Sequence, residues 1–175
     1  MSLKDRQNDT SGLLFEPLQP EHLQACLDIY GYYVENSTAT FHTHVPSMVE
    51  FKEIVYIGCE RNKGFVILHN SRICGYVALG RYNIREAYAD TGSIAIYLHP
   101  EYCSKGIGSA ALDFIEHYAC EQGFHSLIAS ICGENEQSIR LFERKGYVKC
   151  AHYKELGRKF GRLLDVVSYQ KIIGC

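Results

Sequence analysis

The sequence predicts one α/β (α+β) domain with a central sheet of about seven strands flanked by about four helices. Its 175 residues suffice for a single domain with a sizeable core. Short β-branched and apolar runs alternate with longer segments in which apolar residues recur at helical spacing, and glycine, proline or asparagine separate them. The predicted order of elements is βααβββαβαββ.

The first half of the chain divides into five elements. The polar residues 1–12 are expected to be a flexible leader, and the domain to span 13–175. Pro20 opens a helix because proline is favoured in a first helical turn, and Asn70-Ser71 is a turn between two apolar runs. The predicted elements are a strand at 13–18, helices at 20–33 and 47–58, and a hairpin of strands at 65–69 and 73–80.

The second half begins with an irregular segment, 81–90, and a central strand, 92–98. A helix to about residue 122 and a buried strand at 125–132 follow. A short helix at 135–145 stops at Gly146, since glycine favours a helix C-terminus. Two last strands, 147–156 and 164–172, surround a turn-rich segment at 157–161.

The segment YCSKGIGSAAL, residues 102–112, predicts a phosphate site. Glycines at 106 and 108 allow close approach of the backbone, and the helix N-terminus presents unpaired N–H groups and a partial positive charge. The loop does not have the G-x-x-x-x-G-K-[ST] pattern of P-loops. Gly106-x-Gly108-x-x-Ala111 fits the loose dinucleotide pattern, with Glu134 as a ribose ligand, but seven residues separate the strand from the first glycine.

Four motifs resemble the GNAT superfamily of N-acetyltransferases. The glycine loop is similar to its Q/R-x-x-G-x-G/A pyrophosphate loop, with Cys103 at the first position, and ENEQSIRLFERKGY is similar to the next helix. VENSTATF and GRKFGRLLDVVSYQ resemble segments of the phosphinothricin and methionine-sulfone acetyltransferase subfamily. The motifs stand in the family's order over residues 13–172, and they imply its fold, with a mixed sheet.

The resemblance implies that acetyl-CoA is the cosubstrate and that no metal is needed. Two parallel strands diverge in this fold and hold pantetheine between them, and backbone groups of the central strand contact pantetheine and the thioester carbonyl. The implied cofactor-binding residues are Ile96, Tyr97, Leu98, Cys103, Ser104, Lys105, Gly106, Ile107, Gly108, Ser109, Asn135 and Arg144.

The family's usual proton-transfer residues are missing. Ser93 stands where the subfamily has a glutamate base, and Phe142 replaces the tyrosine or histidine that protonates the departing thiolate. The expected proton acceptor is Asp90, Glu35 or Glu86, acting through a water held by Ser93. The expected donor is Tyr97, Tyr147 or Tyr153. The predicted catalytic residues are therefore Ser93, Asp90 and Tyr97. An alternative is a CoA-binding GNAT-fold protein with weak or lost catalysis.

The resemblance implies direct acetyl transfer to the primary amine of a small amino acid or analogue. Phe41 would form one wall of the acceptor pocket, and an arginine would pair with a substrate carboxylate. The implied substrate-binding residues are Glu35, Phe41, Arg81, Glu86, Ala87 and Tyr88.

Composition gives no sign of another partner. The net charge of −2 and pI near 6.4 provide no electrostatic footprint for nucleic acid, and no apolar run approaches the length of a membrane span. Eight cysteines without C-x-x-C spacing are expected to be reduced. A cytoplasmic enzyme is expected, and family analogy implies a homodimer.

Overall fold

A computed structural model describes residues 10–174, and it contains the expected elements in the expected order. The seven strands are β1 (Leu13–Pro17), β2 (Lys63–His69), β3 (Arg72–Arg81), β4 (Thr91–Leu98), β5 (Ser126–Cys132), β6 (Val148–Lys159) and β7 (Arg162–Ile172). The four α-helices are α1 (Leu23–Asn36), α2 (Met48–Ile54), α3 (Ile107–Glu121) and α4 (Glu136–Arg144). The predicted fold class is confirmed.

The seven strands form one mixed sheet in the order β1-β2-β3-β4-β5-β7-β6. Every neighbouring pair is antiparallel except β4 and β5. These two parallel strands pair only from Thr91 with Ser126 to Ser93 with Ile128. Beyond Ser93 they diverge, as expected, and the gap between them opens toward the N-terminus of α3.

Some boundaries differ from the sequence-based expectation. The second helix ends at Ile54 instead of near residue 58. The last two strands extend through the segment expected to be turn-rich, so that the turn contains only Phe160 and Gly161, both with positive φ. Gly157 was interpreted as a turn residue, but it pairs with Leu164 inside the sheet.

Two hydrophobic cores cover the two faces of the sheet. The larger core contains α3 and joins residues such as Ile115, Leu127 and Phe142. The smaller lies under α1 and α2 and includes Tyr30, Phe51 and Tyr76. Alternation along β4 turns Ile94 and Leu98 toward the larger core and Tyr97 toward the smaller one, so this strand presents different side chains to each face.

The expected leader, 1–12, falls mostly on residues 1–9, outside the described part. Gly12 accepts a hydrogen bond from the N–H of Asn70. None of the helices in the described range 10–174 is long and apolar enough to span a membrane.

The expectation of eight reduced cysteines is wrong at Cys120, which is disulfide-bonded. Within residues 10–174 the free thiols are Cys26, Cys59, Cys74, Cys103, Cys132 and Cys150.

Candidate active site

A cleft of about 280 Å³ lies where β4 and β5 diverge. Ala95 to Leu98 form one wall, and Ala129 to Ile131 form the other. On the edges that face the gap, β4 and β5 no longer pair with each other. The backbone groups on these two edges are therefore available to an extended polar ligand. The remaining lining residues are Tyr33, Ala39, Ile94, Cys103, Ser104, Gly106, Gly108, Ser109, Asn135, Gln137, Ser138, Leu141, Phe142 and Arg144.

The glycine loop closes one end of the cleft. Ser104 and Gly106 both have positive φ, of 60° and 87°, and Gly106 is the N-cap of α3. Glycine adopts this conformation without strain. Within the described residues, the N–H groups of Ile107 and Gly108 have no hydrogen-bond partner, whereas that of Ser109 donates to Gly106 O at 3.0 Å. These two N–H groups and the helix dipole make this end suitable for a phosphate.

Helix α4 forms the rim next to the loop. The Asn135 side chain caps this helix by accepting from Ser138 N at 3.2 Å, and Gln137 Nε2 donates to Ser104 Oγ across the rim at 3.2 Å. Arg144 lines the cleft. The neighbouring Lys145 does not, because its ammonium binds Asp113 at 2.6 Å. The structure therefore favours Arg144 as the cation of the cleft.

Two of the predicted cofactor-binding residues have side chains outside the cleft lining. Lys105 is exposed and its ammonium lies 5.2 Å from the centre of the Tyr102 ring. Ile107 is fully buried in the larger core. Only the backbone of Ile107 can face a ligand. The other ten predicted cofactor-binding residues line the cleft together.

Two tyrosines line the wall toward α1. The Tyr33 hydroxyl donates to the carbonyl oxygen of Leu98 at 2.6 Å and lies 3.5 Å from Cys103 Sγ. The Tyr97 hydroxyl donates to Ala39 O at 3.4 Å. Burial raises the pKa of both phenols. They therefore remain neutral donors at physiological pH.

The predicted proton-transfer residues are only partly brought together. Ser93 lies two residues before Ala95, on the strand face that also carries Tyr97. The carboxylate of Asp90 does not line the cleft: it binds Arg61 at 2.7 Å and is 68% exposed, just before the first residue of β4. Arg61 also donates to the carbonyls of Ala89 and Gly123, so the acid belongs to a structural clamp.

Phe142 of α4 lies at the cleft, whereas two of the candidate proton donors, Tyr147 and Tyr153, do not line it. Phe142 lines the cleft and is 4% exposed. Tyr147 packs edge-on against it at 4.9 Å, but its own hydroxyl is buried outside the cleft lining. Tyr153 is 48% exposed on β6. Among the three tyrosines considered as donors, only Tyr97 reaches the cleft.

The predicted acceptor residues do not form a closed pocket with the cleft. Phe41 packs directly on Gly157, where a Cβ atom would overlap its ring, so the absence of a side chain at 157 makes room for it. Glu35 is exposed at the end of α1, and Arg81 is exposed at the end of β3. Glu86, Ala87 and Tyr88 form an exposed 3-10 turn before β4. All six stay predictions.

The motif of the last hairpin has a clear structural role. Lys159 is 3% exposed, and its ammonium donates to the carbonyls of Ser37 and Thr40 at 2.7 and 2.8 Å. Arg162 binds Glu134 through two bonds, and Thr38 Oγ1 donates to the same carboxylate at 2.8 Å. The STATF segment after α1 is thus held against the sheet by the hairpin.

We expect the Glu134–Arg162 pair to make stability depend on pH. The Arg162 hydrogen bonds, with a smaller contribution from Thr38, lower the pKa of Glu134 to about 2. The folded pKa lies below the unfolded value, about 4.3, so the stabilisation is present above pH 4.3 and is lost as pH falls toward 2. Because both side chains are substantially exposed, the effect is at most about 1 kcal/mol.

Urea unfolding of wild type and Glu134→Gln between pH 7 and pH 3 measures this effect. The difference in unfolding free energy should be largest at pH 7 and shrink toward pH 3. Glu60→Gln, at an exposed position, should show no such trend. A difference between wild type and Glu134→Gln that stays constant over this range would contradict the pairing.

Sequence reasoning missed several lining residues. Tyr33 belongs to the α1 face that carries Cys26 and Tyr30, which was interpreted only as core. Ser130 is a polar residue in the apolar run of β5, and this exception in the sequence is the signal that could have located it. The contact of His42 with α1 was not predicted either: this exposed residue hydrogen-bonds through Nδ1 to the buried Tyr30 hydroxyl at 2.6 Å.

The cleft has the features that a CoA thioester requires. Unpaired strand backbone faces a long and partly apolar gap, and N–H groups at a helix N-terminus close one end beside Arg144. Among the described residues, no group of three histidine, cysteine or acidic side chains could hold a metal ion. Glu134, the acid considered for a ribose, is engaged by Arg162 and Thr38.

Comparison with known proteins agrees with the geometry. Residues 18–167 match the family described as "Acetyltransferase (GNAT) domain". The chain is 29% identical to a phosphinothricin N-acetyltransferase of Streptomyces coelicolor, over 93% of this chain and 97% of that protein. It is 31% identical to the L-amino acid N-acyltransferase MnaT of Escherichia coli, over 83% of this chain and 86% of that protein.

A solved structure extends the similarity to three dimensions. A GNAT superfamily phosphinothricin acetyltransferase from Sinorhizobium meliloti, in complex with AcCoA, superposes with a TM-score of 0.88 at 29% identity. The match covers 93% of this chain and 89% of the other. The predicted resemblance to the phosphinothricin and methionine-sulfone subfamily is confirmed. The chain therefore belongs to the GNAT superfamily, as an acetyl-CoA-dependent N-acetyltransferase of the phosphinothricin-like group.

Proposed function

We propose that this enzyme transfers the acetyl group of acetyl-CoA directly to the primary amine of a small amino acid or amino-acid analogue, of the phosphinothricin or methionine-sulfone type. The main support is the cleft between β4 and β5, closed by the glycine loop. The relatives named for phosphinothricin and L-amino acids support this class of acceptor.

In this proposal the donor lies along β4. Backbone groups of Ile96, Tyr97 and Leu98 bind pantetheine, and the loop from Cys103 to Ser109 binds the pyrophosphate through its backbone. Asn135 and Arg144 contact the adenosine end. Tyr33 adds a further contact, because its hydroxyl lies between Leu98 O and Cys103 Sγ at the same wall.

The chemistry requires a neutral amine and a protonated leaving thiol. Acetyl-CoA supplies an activated acyl group, and a backbone N–H of β4 stabilises the negative charge that develops on the thioester oxygen. Ser93 orients the amine or a water molecule from the face it shares with Tyr97. The Tyr97 or Tyr33 hydroxyl replaces the donor that Phe142 cannot provide, since both remain neutral and line the cleft.

The acceptor is proposed to approach from the face of β4 that carries Ser93. Phe41 and Tyr88 supply apolar walls, Glu35 and Glu86 attract the amine, and Arg81 pairs with a carboxylate. The backbone of Ala87 completes this set. By family analogy we further propose a cytoplasmic homodimer that acts on a small molecule and not on nucleic acid or at a membrane.

A panel assay with mass-spectrometric detection tests the function. Acetyl-CoA is incubated with amino acids, their sulfone and phosphinate analogues, and polyamines, and acetylated product is measured directly, because free thiols interfere with thiol-reagent assays. Acetylation of a small α-amino compound is the expected result. Binding of acetyl-CoA without product from any amine would favour the alternative, a CoA-binding protein with weak or lost catalysis.

We expect Ser130→Trp to weaken donor binding at least tenfold without unfolding the protein. Ser130 is exposed and lines the cleft opposite β4, so an indole there occupies the space proposed for pantetheine. Acetyl-CoA at 100 times its Kd should stabilise wild type by about 2.7 kcal/mol, a rise in Tm of about 5–10 °C for a domain of this size. The variant should show at least a tenfold weaker Kd and a smaller rise.

The matched control is Lys149→Trp, at an exposed position of β6. It adds the same side chain away from the cleft and should keep the wild-type response to acetyl-CoA. An undiminished Tm rise in Ser130→Trp would place the donor elsewhere.

A further inference from the structure

A chain of hydrogen bonds leads from the interior of the protein to its surface beside the cleft. The Tyr30 hydroxyl lies 2.6 Å from Thr40 Oγ1 and 2.6 Å from His42 Nδ1. Tyr30 and Thr40 are 4% and 6% exposed, whereas His42 is exposed to solvent. A buried hydroxyl pair is therefore in direct contact with an imidazole that can exchange protons with water.

The inner end of this chain meets the cleft at Tyr97. The rings of Tyr30 and Tyr97 pack edge to face with centroids 5.0 Å apart. The Tyr97 hydroxyl donates to Ala39 O, the residue next to Thr40, and both Tyr97 and Ala39 line the cleft. Burial is the main cause that raises the pKa of Tyr97, and the Thr40 and Tyr30 hydroxyls are close enough to contribute.

We propose that His42 is the proton acceptor of the acetyl-transfer reaction, reached from the cleft through the hydroxyls of Tyr97 and Tyr30. This inference rests on the proposed function. It assigns a base to a site in which Ser93 has replaced the family's glutamate. Thr40 and Tyr30 position the imidazole and connect it to the cleft, and neither touches the substrate.

The proton balance of the step is complete. The ammonium of the acceptor gives a proton to the Tyr97 oxygen, while the Tyr97 hydroxyl turns from Ala39 O and gives its own proton to Tyr30, directly or through Thr40. Tyr30 in turn protonates His42 Nδ1. The amine becomes neutral and the imidazole becomes an imidazolium, which loses its proton to water. Hydroxyl hydrogens rotate freely enough for such transfers, and no phenolate accumulates because burial raises both phenol pKa values.

The charges around His42 are suited to this role. Glu50 and Glu53 of α2 and His44 line an outer pocket of about 530 Å³ together with His42. The bonds from Ser47 are the main cause that lowers the pKa of Glu50, and His42 makes a smaller contribution in the same direction. Glu50 and Glu53 are therefore the acidic groups that share this pocket with His42. From β6, the Lys159 ammonium donates to the carbonyl oxygen of Thr40. The group that faces His42 from α1, the phenol of Tyr30, is neutral.

The test compares pH profiles of kcat/KM with the acceptor identified in the panel assay. Imidazoles titrate between pH 5 and 8, so wild type should show an acidic limb in this range. His42→Gln keeps a hydrogen-bonding side chain but cannot take up a proton. We expect it to lower kcat/KM at pH 7 by about 100-fold and to remove this limb. Tyr30→Phe should do the same, because it interrupts the chain without changing the imidazole.

His44→Gln is the matched control, in the same loop and the same outer pocket, and it should keep the wild-type profile. Circular dichroism and the Tm shift with acetyl-CoA verify that each variant is folded and binds the donor. A His42→Gln enzyme that retains the rate and the acidic limb would overturn the relay. That result would leave the proposed function intact, since product would still form.

Discussion

Ser93→Glu will acetylate the acceptor amine faster than wild type, by about tenfold at pH 7. An α-amine with a pKa of about 7.7–8.0 is mostly protonated at this pH, and a carboxylate beside it contributes as a general base. Such bases are worth about 10²- to 10⁴-fold. The expected gain is smaller because His42 already supplies part of this catalysis through Tyr30. Ser93 is half-buried at the last paired position before β4 and β5 diverge, so a longer side chain can extend toward the cleft.

Ser93→Gln is the control, since it has the size of glutamate without its basicity. Equal rates for the two variants would show that the effect is steric. The double variant Ser93→Glu with His42→Gln separates the two bases. If both perform the same task, the 100-fold cost of His42→Gln should fall to about threefold or less once the glutamate is present, because residues that share a function are not additive. A full 100-fold cost in both backgrounds would contradict this interpretation.

The fold was predictable because local pattern and global architecture agree in this chain. Gly106 and Gly146 stand where the backbone takes up positive φ, and Asn70-Ser71 forms the turn that was read from the sequence. The exception, the long β6–β7 hairpin, shows why pattern fails. Glycine at 157 indicates a turn, but there it makes room for the ring of Phe41, a contact between residues that are far apart in sequence.

The candidate site was predictable where a motif fixes backbone geometry and less so where side chains meet across elements. The loop follows from the strand–glycine–helix pattern, and the wall of β4 was implied by the resemblance to the family. Asp90 was chosen for its proximity to Ser93 in sequence, which does not reveal that Arg61 engages its carboxylate. The contact of His42 with Tyr30 joins a loop to a helix. Neither residue carries a pattern that would predict it.

Lys159→Met will lower the free energy of unfolding by about 2–4 kcal/mol. The Lys159 ammonium is buried and donates to three backbone carbonyls, those of Tyr33, Ser37 and Thr40, at 3.3, 2.7 and 2.8 Å. The first two lie at the C-terminal end of α1. Tyr33 O also accepts a hydrogen bond from Ser37 N at 3.2 Å, so the partner that Lys159 provides matters most for the carbonyls of Ser37 and Thr40. Replacing both members of a buried polar pair by apolar groups can be nearly neutral, but backbone carbonyls cannot be removed. Leaving each one unsatisfied costs about 1–3 kcal/mol.

The desolvation of the charge sets the upper limit of this effect. Burial is the main cause that lowers the pKa of Lys159. The three hydrogen bonds of its ammonium therefore offset the cost of burying the charge only in part. Because methionine is uncharged, Lys159→Met removes this desolvation cost, which reduces the net loss of stability. A loss of 2–4 kcal/mol corresponds to a fall in Tm of about 5–15 °C for a domain of this size. Differential scanning calorimetry measures it, with Arg158→Met as the control because Arg158 is the exposed neighbour on β6. Equal Tm values for the two variants would contradict the structural role of Lys159.

The same variant links stability to the relay. Lys159 holds the carbonyl of Thr40, and the side chain of Thr40 positions the Tyr30 hydroxyl for His42. Loosening this segment at a temperature where Lys159→Met is still folded should weaken the contact between Tyr30 and His42. We therefore expect a lower kcat/KM with the acidic limb reduced, while acetyl-CoA binding, which depends on β4 and the glycine loop, changes little. If Lys159→Met instead bound acetyl-CoA more weakly and kept the wild-type pH profile, we would conclude that Lys159 supports the wall of the cleft and not the contact between Tyr30 and His42.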